Sequence, residues 1–203
     1  MAGFRIEKDL TRQGSRAVAG LDEVGRGALF GPVVAAAVVL PREWILRRPP
    51  EWAKKINDSK LLSATKRVEL GALLLHEAEA LGIGMASSAE IDERNIYWAS
   101  QMAMKRAIEN LSGPADFLLV DGFALKDVEY GQMGIPQGDR KCMSIAAASI
   151  VAKVFRDGLM DAFDAVYEGY GLARNKGYGT EEHYRCLRAK GPTGLHRMSF
   201  NLG

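Results

Sequence analysis

Ala17-Val-Ala-Gly20-Leu-Asp22-Glu23-Val-Gly25-Arg26-Gly27-Ala-Leu-Phe-Gly31-Pro32-Val33-Val-Ala-Ala-Ala-Val-Val-Leu40 holds two apolar runs separated by a glycine-rich turn. The first, residues 17–23, reads as a short strand that ends in two carboxylates. The second, residues 33–40, is β-branched and reads as its antiparallel partner across the turn 24–32. Neighbours on a strand point to opposite faces, so Asp22 and Glu23 reach one site only where the chain leaves the sheet, and Gly25 and Gly27 permit that exit. Taken alone, the pair equally suits an ordinary strand end beside a loop.

Working outward, Ser63 is placed to cap a helix that runs to residue 80, followed by a strand over 81–86. A helical stretch from Ser88 to Leu111 breaks near Asn95 and stops at Ser112-Gly113-Pro114. The apolar run 117–120 is a further strand and delivers Asp121 at its end. Another short strand is expected over 135–139, a long helix over 144–167 and a last one over 180–190, with Arg47-Arg-Pro-Pro50 as a surface excursion. Early antiparallel strands followed by alternating helices and strands predict an α/β fold, a mixed sheet covered by helices on both faces. Without repeats or linkers, residues 1–203 read as a single domain.

The composition excludes several classes. Basic residues number 27 and acidic ones 25, a formal net charge of +2, and 47% of the chain is hydrophobic, which argues against a disordered polycation. The longest apolar run has eight residues, too few to span a bilayer. Charges within residues 1–10 interrupt the run a secretory signal needs, and Cys142 and Cys186 show no disulfide or zinc spacing, so a cytoplasmic location is expected. His76, His183 and His196 are too scattered for a triad or zinc site; His183 and Cys186 read as surface neighbours on one helix. Gly25, Gly27 and Gly31 miss the dinucleotide-binding spacing.

Asp121 repeats the context of Asp22, at the end of a buried strand, although Asp121-Gly122 is also a turn signal; Asp139 in Gln137-Gly138-Asp139 has the same ambiguity. Four carboxylates in one cleft would repel one another unless cations were bound, and hard oxygen ligands favour Mg²⁺ or Mn²⁺. Such a set implies a two-metal phosphodiester site.

Seven segments in fixed order then resemble ribonuclease HII, the type 2 ribonuclease H of bacteria. They are Gly20-Leu-Asp22-Glu23-Val-Gly25-Arg26-Gly27, Asp58-Ser-Lys60, Val120-Asp121-Gly122, Gly138-Asp139, the helix from Ser144 to Lys153 and Arg156-Asp157, Lys176-Gly-Tyr178-Gly-Thr180, and Gly191-Pro-Thr-Gly-Leu-His196-Arg197-Met-Ser-Phe200. The resemblance implies the ribonuclease H-like fold, a mixed five-stranded sheet flanked by helices, with residues 168–203 as a C-terminal helical substrate-binding extension. It implies metal-dependent endonucleolytic hydrolysis of RNA in RNA–DNA hybrids and incision of DNA 5′ of embedded ribonucleotides, in replication and repair, leaving 5′-phosphate and 3′-hydroxyl ends. By motif, Asp22, Glu23, Asp121 and Asp139 become the catalytic, metal-binding carboxylates. Gly25, Arg26 and Gly27 read the 2′-hydroxyl through the backbone, and Tyr178 packs against the ribose at the junction.

Lys60 and Ser144 are expected on the phosphate backbone, helped by six basic residues against two acidic ones from Tyr170 onward. Small residues over 144–152 let a helix lie close to the sheet. Asp157, four residues after Lys153, suits a helix-surface ion pair as well as a place near the metals; Asp139 is preferred as fourth ligand. Gln137 stands where the family often has lysine, which weakens a local phosphate contact. The expected partners are RNA–DNA hybrids and duplex DNA containing single ribonucleotides, no membrane is involved, and a monomer is the default. The competing readings are another nuclease or strand transferase of the same fold, which would cut all-DNA duplexes, and a silent hybrid-binding module.

Overall fold

The strand that carries Asp22 and Glu23, β1 (Val18–Val24), lies at the middle of the sheet. The computed structural model describes residues 2–56, 59 and 62–203. The partner β2 (Val33–Val39) runs antiparallel to β1, with Asp22 opposite Ala36 and Glu23 opposite Ala35. Strand β3 (Ala80–Ala86) adds antiparallel beyond β2. On the other side β4 (Phe117–Asp121) pairs parallel with β1, and β5 (Gly131–Ile135) pairs parallel with β4. The order β3-β2-β1-β4-β5 makes a mixed five-stranded sheet.

Every residue of β2 is buried, because both faces of the sheet are covered. One face carries Ala19, Leu21, Val33, Ala35 and Ala37 and packs on α5 (Ile96–Glu109) through Ala99, Ala103 and Ala107. The other presents Ala36 and Val38 to α3 (Ala64–Glu77) and α6 (Met143–Val166) through Leu70, Leu74, Ala147 and Ile150. The small residues at the start of α6 let it approach β1 so closely that a Cβ on Gly20 would stand 2.2 Å from the Ser144 carbonyl carbon. Side chains of alternate parity on each strand thus meet opposite helices, as the period of two requires.

Local signals account for several boundaries. Ser63 Oγ accepts from the Lys66 N–H at 3.3 Å and starts α3, which ends at Glu77 because the chain turns extended into β3. Ser87 and Glu90 form a reciprocal cap on α4 (Ser88–Arg94). Asn95, at φ 91°, breaks the helix there, and its side chain caps α5 by accepting from the Trp98 N–H.

The strand expected over 135–139 is instead β5, which ends at Ile135; Gly131 and Gly134 hide it, since neither carries a side chain to show alternation. Residues 138–140 form a short 3₁₀ turn. Two α-helices in the N-terminal third of the chain carried no sequence expectation. The first, α1 (Arg5–Arg12), lays buried Glu7 against the start of α6, where Oε1 accepts from the Ser144 N–H at 3.0 Å and from its Oγ at 2.9 Å. The second, α2 (Arg42–Leu46), precedes exposed Arg47 and Arg48. After α6 come α7 (Leu172–Asn175) and α8 (Glu181–Lys190), the latter capped by Thr180. Among the described residues no helix is long and apolar enough to cross a membrane.

Candidate active site

Parallel pairing of β1 and β4 in the register Leu21 to Val120 means that Asp22 and Asp121, one residue further on, leave adjacent strands at the same end. That end is where an open α/β sheet exposes groups to a ligand. The chain then returns from β5 through the 138–140 turn, and Asp121 Oδ1 accepts the Gly138 N–H at 2.6 Å, which fastens the segment bearing Asp139 beside β4. Asp22, Glu23, Asp121 and Asp139 together border a cleft of about 320 Å³.

The cleft is electrostatically tense. Burial, and then the neighbouring charges of Glu23 and Asp121, hold the Asp22 carboxyl well above the usual carboxylate range. Burial also raises Glu23, against the Arg26 guanidinium, which donates to Glu23 Oε1 at 2.9 Å. Asp22 Oδ1 accepts the Glu23 N–H at 2.7 Å, so the two adjacent acids are held in different directions, as their alternation on β1 requires. Arg26 thus engages one Glu23 oxygen and the Gly138 N–H one Asp121 oxygen. Among the described residues no three His, Cys, Asp or Glu side chains already stand grouped as metal ligands. The donor set is nonetheless all carboxylate, and its mutual repulsion is what a hard divalent cation relieves.

Opposite the carboxylates run Gly25, Arg26 and Gly27. Gly25 has φ +91°, and a Cβ there would fall 2.1 Å from Arg156 Nε, so this position admits no side chain. The turn is gripped from behind by two buried guanidinium groups. Arg156 donates to the carbonyls of Phe30, Pro32 and Lys176 at 3.0, 3.1 and 2.8 Å, and Arg197 to those of Gly31 and Arg26 at 3.0 and 2.8 Å. The Leu29 N–H donates to the Gly177 carbonyl at 2.7 Å and brings Tyr178 to the cleft, its ring 5.5 Å from the Arg156 guanidinium carbon.

The sequence agrees with this geometry. A family model described as Ribonuclease HII matches residues 19–202. The chain belongs to the ribonuclease HII family. It is 50% identical over 197 residues to a ribonuclease HII of Moorella thermoacetica, covering 97% of this chain and 92% of that one. To a ribonuclease HII of Bacillus subtilis it is 48% identical over 194 residues, covering 96% and 73%. The ribonuclease H2 of Pyrococcus horikoshii superposes with a TM-score of 0.75 at 24% identity, covering 92% and 95%, and so shares the fold. A Bst-RNase HIII solved with Mn²⁺ superposes at 0.71 with 20% identity, covering 95% and 69%. The protein is therefore a metal-dependent ribonuclease H, an endonuclease of the RNA in RNA–DNA hybrids.

Not every expected residue of this ribonuclease H reaches the cleft. Ser144 is 1% exposed and its hydroxyl is committed to Glu7 behind the sheet, so it offers nothing to a phosphate. Lys60 lies outside the described residues. Asp157 pairs with Lys153 at 2.7 Å on α6. Gln137 is exposed, in a left-handed conformation just before Gly138. The basic C-terminal bias is largely spent internally: Arg174 pairs with Glu182, Lys176 with Asp161 and Arg188 with Glu181, while Arg197 is buried.

The expectation for His183 is overturned. It is not a surface neighbour of Cys186 but fully buried, with Nε2 3.1 Å from His196 Nε2. The Thr193 N–H donates to His196 Nδ1 at 2.9 Å, so the His196 proton sits on Nε2 and is given to His183, whose Nδ1–H donates to the Tyr178 carbonyl at 3.0 Å. Arg156, Arg197 and this relay are the positioning groups that sequence reasoning missed. Their one signal was membership in the ordered motifs, since polar residues are otherwise assigned to the surface.

Proposed function

We propose that the cleft cleaves the RNA strand of hybrids and incises duplex DNA immediately 5′ of a single embedded ribonucleotide, leaving 5′-phosphate and 3′-hydroxyl ends. The observation that carries this is the side-by-side exit of Asp22 and Asp121 facing the Gly25-Arg26-Gly27 turn. Asp22, Glu23, Asp121 and Asp139 would hold two Mg²⁺ or Mn²⁺ ions, which supply activation of the attacking water and stabilisation of the leaving O3′. Glu23 must turn from Arg26 to take part, which frees the guanidinium to face the phosphate.

At Gly27, where a Cβ would meet nothing, the main chain can approach a ribose without a side chain in the way, so the 2′-hydroxyl is met by backbone groups of the Gly25-Arg26-Gly27 turn. Tyr178 closes against the sugar from the other side, and its backbone position is set by the Gly177 carbonyl and the histidine relay. Residues 1–203 act as one domain, with 168–203 as the extension that supplies Tyr178. The enzyme works in the cytoplasm, as a monomer, in removing ribonucleotides from DNA.

The test uses an end-labelled DNA duplex with one ribonucleotide, an all-DNA control and a long hybrid, each with Mg²⁺, Mn²⁺ or chelator. Incision 5′ of the lone ribonucleotide, abolished by chelator and absent from the all-DNA duplex, is the expected result. Cleavage of the long hybrid alone would remove the junction-reading role of Gly25, Arg26, Gly27 and Tyr178.

A further inference from the structure

The carboxylate cleft adjoins a second cavity of about 120 Å³, and the two share Glu23, Arg26 and Asp121 as a common wall. The far wall is built from α5 and from the residues that follow β4, and three of its side chains are unlike ordinary surface. Phe123 is 76% exposed only two residues after Asp121, and Tyr97 is 44% exposed on the facing helix. Between them Ser100 is 5% exposed, and its buried hydroxyl has no hydrogen-bond partner among the described residues. The Lys126 ammonium stands 5.7 Å from the centroid of the Tyr97 ring.

Two aromatic rings held open to solvent, one unmet hydroxyl and one cation suit a nucleotide. Ring faces stack on a base or sugar, the hydroxyl meets a polar edge, and the ammonium faces a phosphate. The sharing of Glu23 and Asp121 sets where that nucleotide belongs. On one side of these carboxylates lie Gly25, Gly27 and Tyr178, which the proposed function gives to the ribonucleotide 3′ of the cleaved bond. The second cavity lies on the other side. Resting on that reading, we propose that Phe123, Tyr97 and Ser100 hold the nucleotide immediately 5′ of the scissile phosphate, the one that keeps the 3′-hydroxyl. Because stacking is indifferent to base identity, this subsite grips without selecting sequence.

The experiment is a double-mutant cycle between protein and substrate. Duplexes carry one ribonucleotide preceded on its 5′ side by either a normal deoxynucleotide or an abasic one, and steady-state kinetics are measured for the wild type, Phe123→Ala and Phe123→Trp. For the wild type, removing the base raises KM about tenfold, the scale of one stacked base, with kcat little changed. Phe123→Ala shows that same tenfold loss on the normal duplex and no further loss on the abasic one, and Phe123→Trp restores the difference. Independent, multiplying losses, or a Phe123→Ala enzyme equal to the wild type on both duplexes, would overturn the subsite. A wild type that fails to incise either duplex while cutting a long hybrid would instead refute the proposed ribonucleotide reading. The cycle is then repeated on the hybrid with an abasic residue 5′ of the mapped cut, where additive losses again count against the subsite. Ser100→Ala, which removes the orphaned hydroxyl, is expected to raise KM about threefold without lowering the melting temperature.

Discussion

Around β1 and β2 the molecule is joined by alanine, valine and leucine, whereas the segment bearing Tyr178 is clasped to residues 25–32 by Arg156, Arg197 and two histidines, all of them buried. Apolar contacts are non-directional and bring the carboxylates together by register alone. The clasp is directional, because each guanidinium N–H must find its carbonyl. Arg197 shows the strain of this choice: burial and the Arg156 charge lower it to about 9, and its Nη2 has no hydrogen-bond partner among the described residues. Buried polar groups of this kind add less stability than well-packed apolar ones but fix one geometry, which is what a sugar-reading turn needs.

The comparison can be pressed hardest at the sheet. Asp121→Asn, at the end of β4, is expected to lower kcat by about three orders of magnitude or more while hybrid affinity is retained, measured by single-turnover cleavage beside a binding titration. Gly20→Ala would drive a methyl group into the α6 backbone and destabilise the whole domain by about 4 kcal/mol, read as a drop in the urea midpoint. Arg156→Met tests the clasp. Three carbonyls lose their donor, the expected destabilisation is about 3 kcal/mol, and KM for the single-ribonucleotide duplex rises more than KM for a long hybrid. A uniform loss on both substrates would mean that the clasp is only structural.

A gentler probe uses acid. His196 is lowered from 6.5 to about 4, by burial first and then by the His183 charge. A depressed histidine is neutral in the fold, so its contribution is complete above pH 6.5 and is lost as the pH falls from 6.5 towards 4. The raised carboxyls of Asp22 and Glu23 act in the opposite direction, so the useful quantity is the wild type minus His196→Gln. That difference should shrink by up to about 3 kcal/mol across the interval in denaturation series at fixed pH. The smallest expected change in stability is also at the sheet, and it is a gain. Asp22→Asn removes one repelling charge and is expected to raise the metal-free stability by about 1 kcal/mol while abolishing cleavage, with Mg²⁺ now adding little to its melting temperature.

The sheet was far more legible than the clasp. Strands β1, β2 and β4, the cap at Ser63 and the break at Asn95 all follow from period, branching and capping chemistry, each within a few residues of its expected place. By contrast β5 was displaced because two of its five residues are glycine, and α1 passed unnoticed in a stretch read only for its charges. For the site, local context picked out Asp22, Glu23, Asp121 and Asp139 as candidates, but their convergence depends on the Leu21 to Val120 register, which no local pattern encodes. Ser144 misled because a serine beside a run of alanines carries no mark of the Glu7 that claims it, 137 residues away. The clasp reverses the ordinary rule that charge lies outside, so His183 was assigned to the surface.

The histidine relay has a spectroscopic consequence. The proton between the two rings is walled off from solvent, with His183 0% and His196 1% exposed, so it exchanges with water only when the C-terminal segment lifts. Held between two nitrogens, it should give a ring N–H resonance well downfield of the amides, visible without substrate or metal. That one line reports, in the resting enzyme, how often the turn that reads the sugar loses its backing.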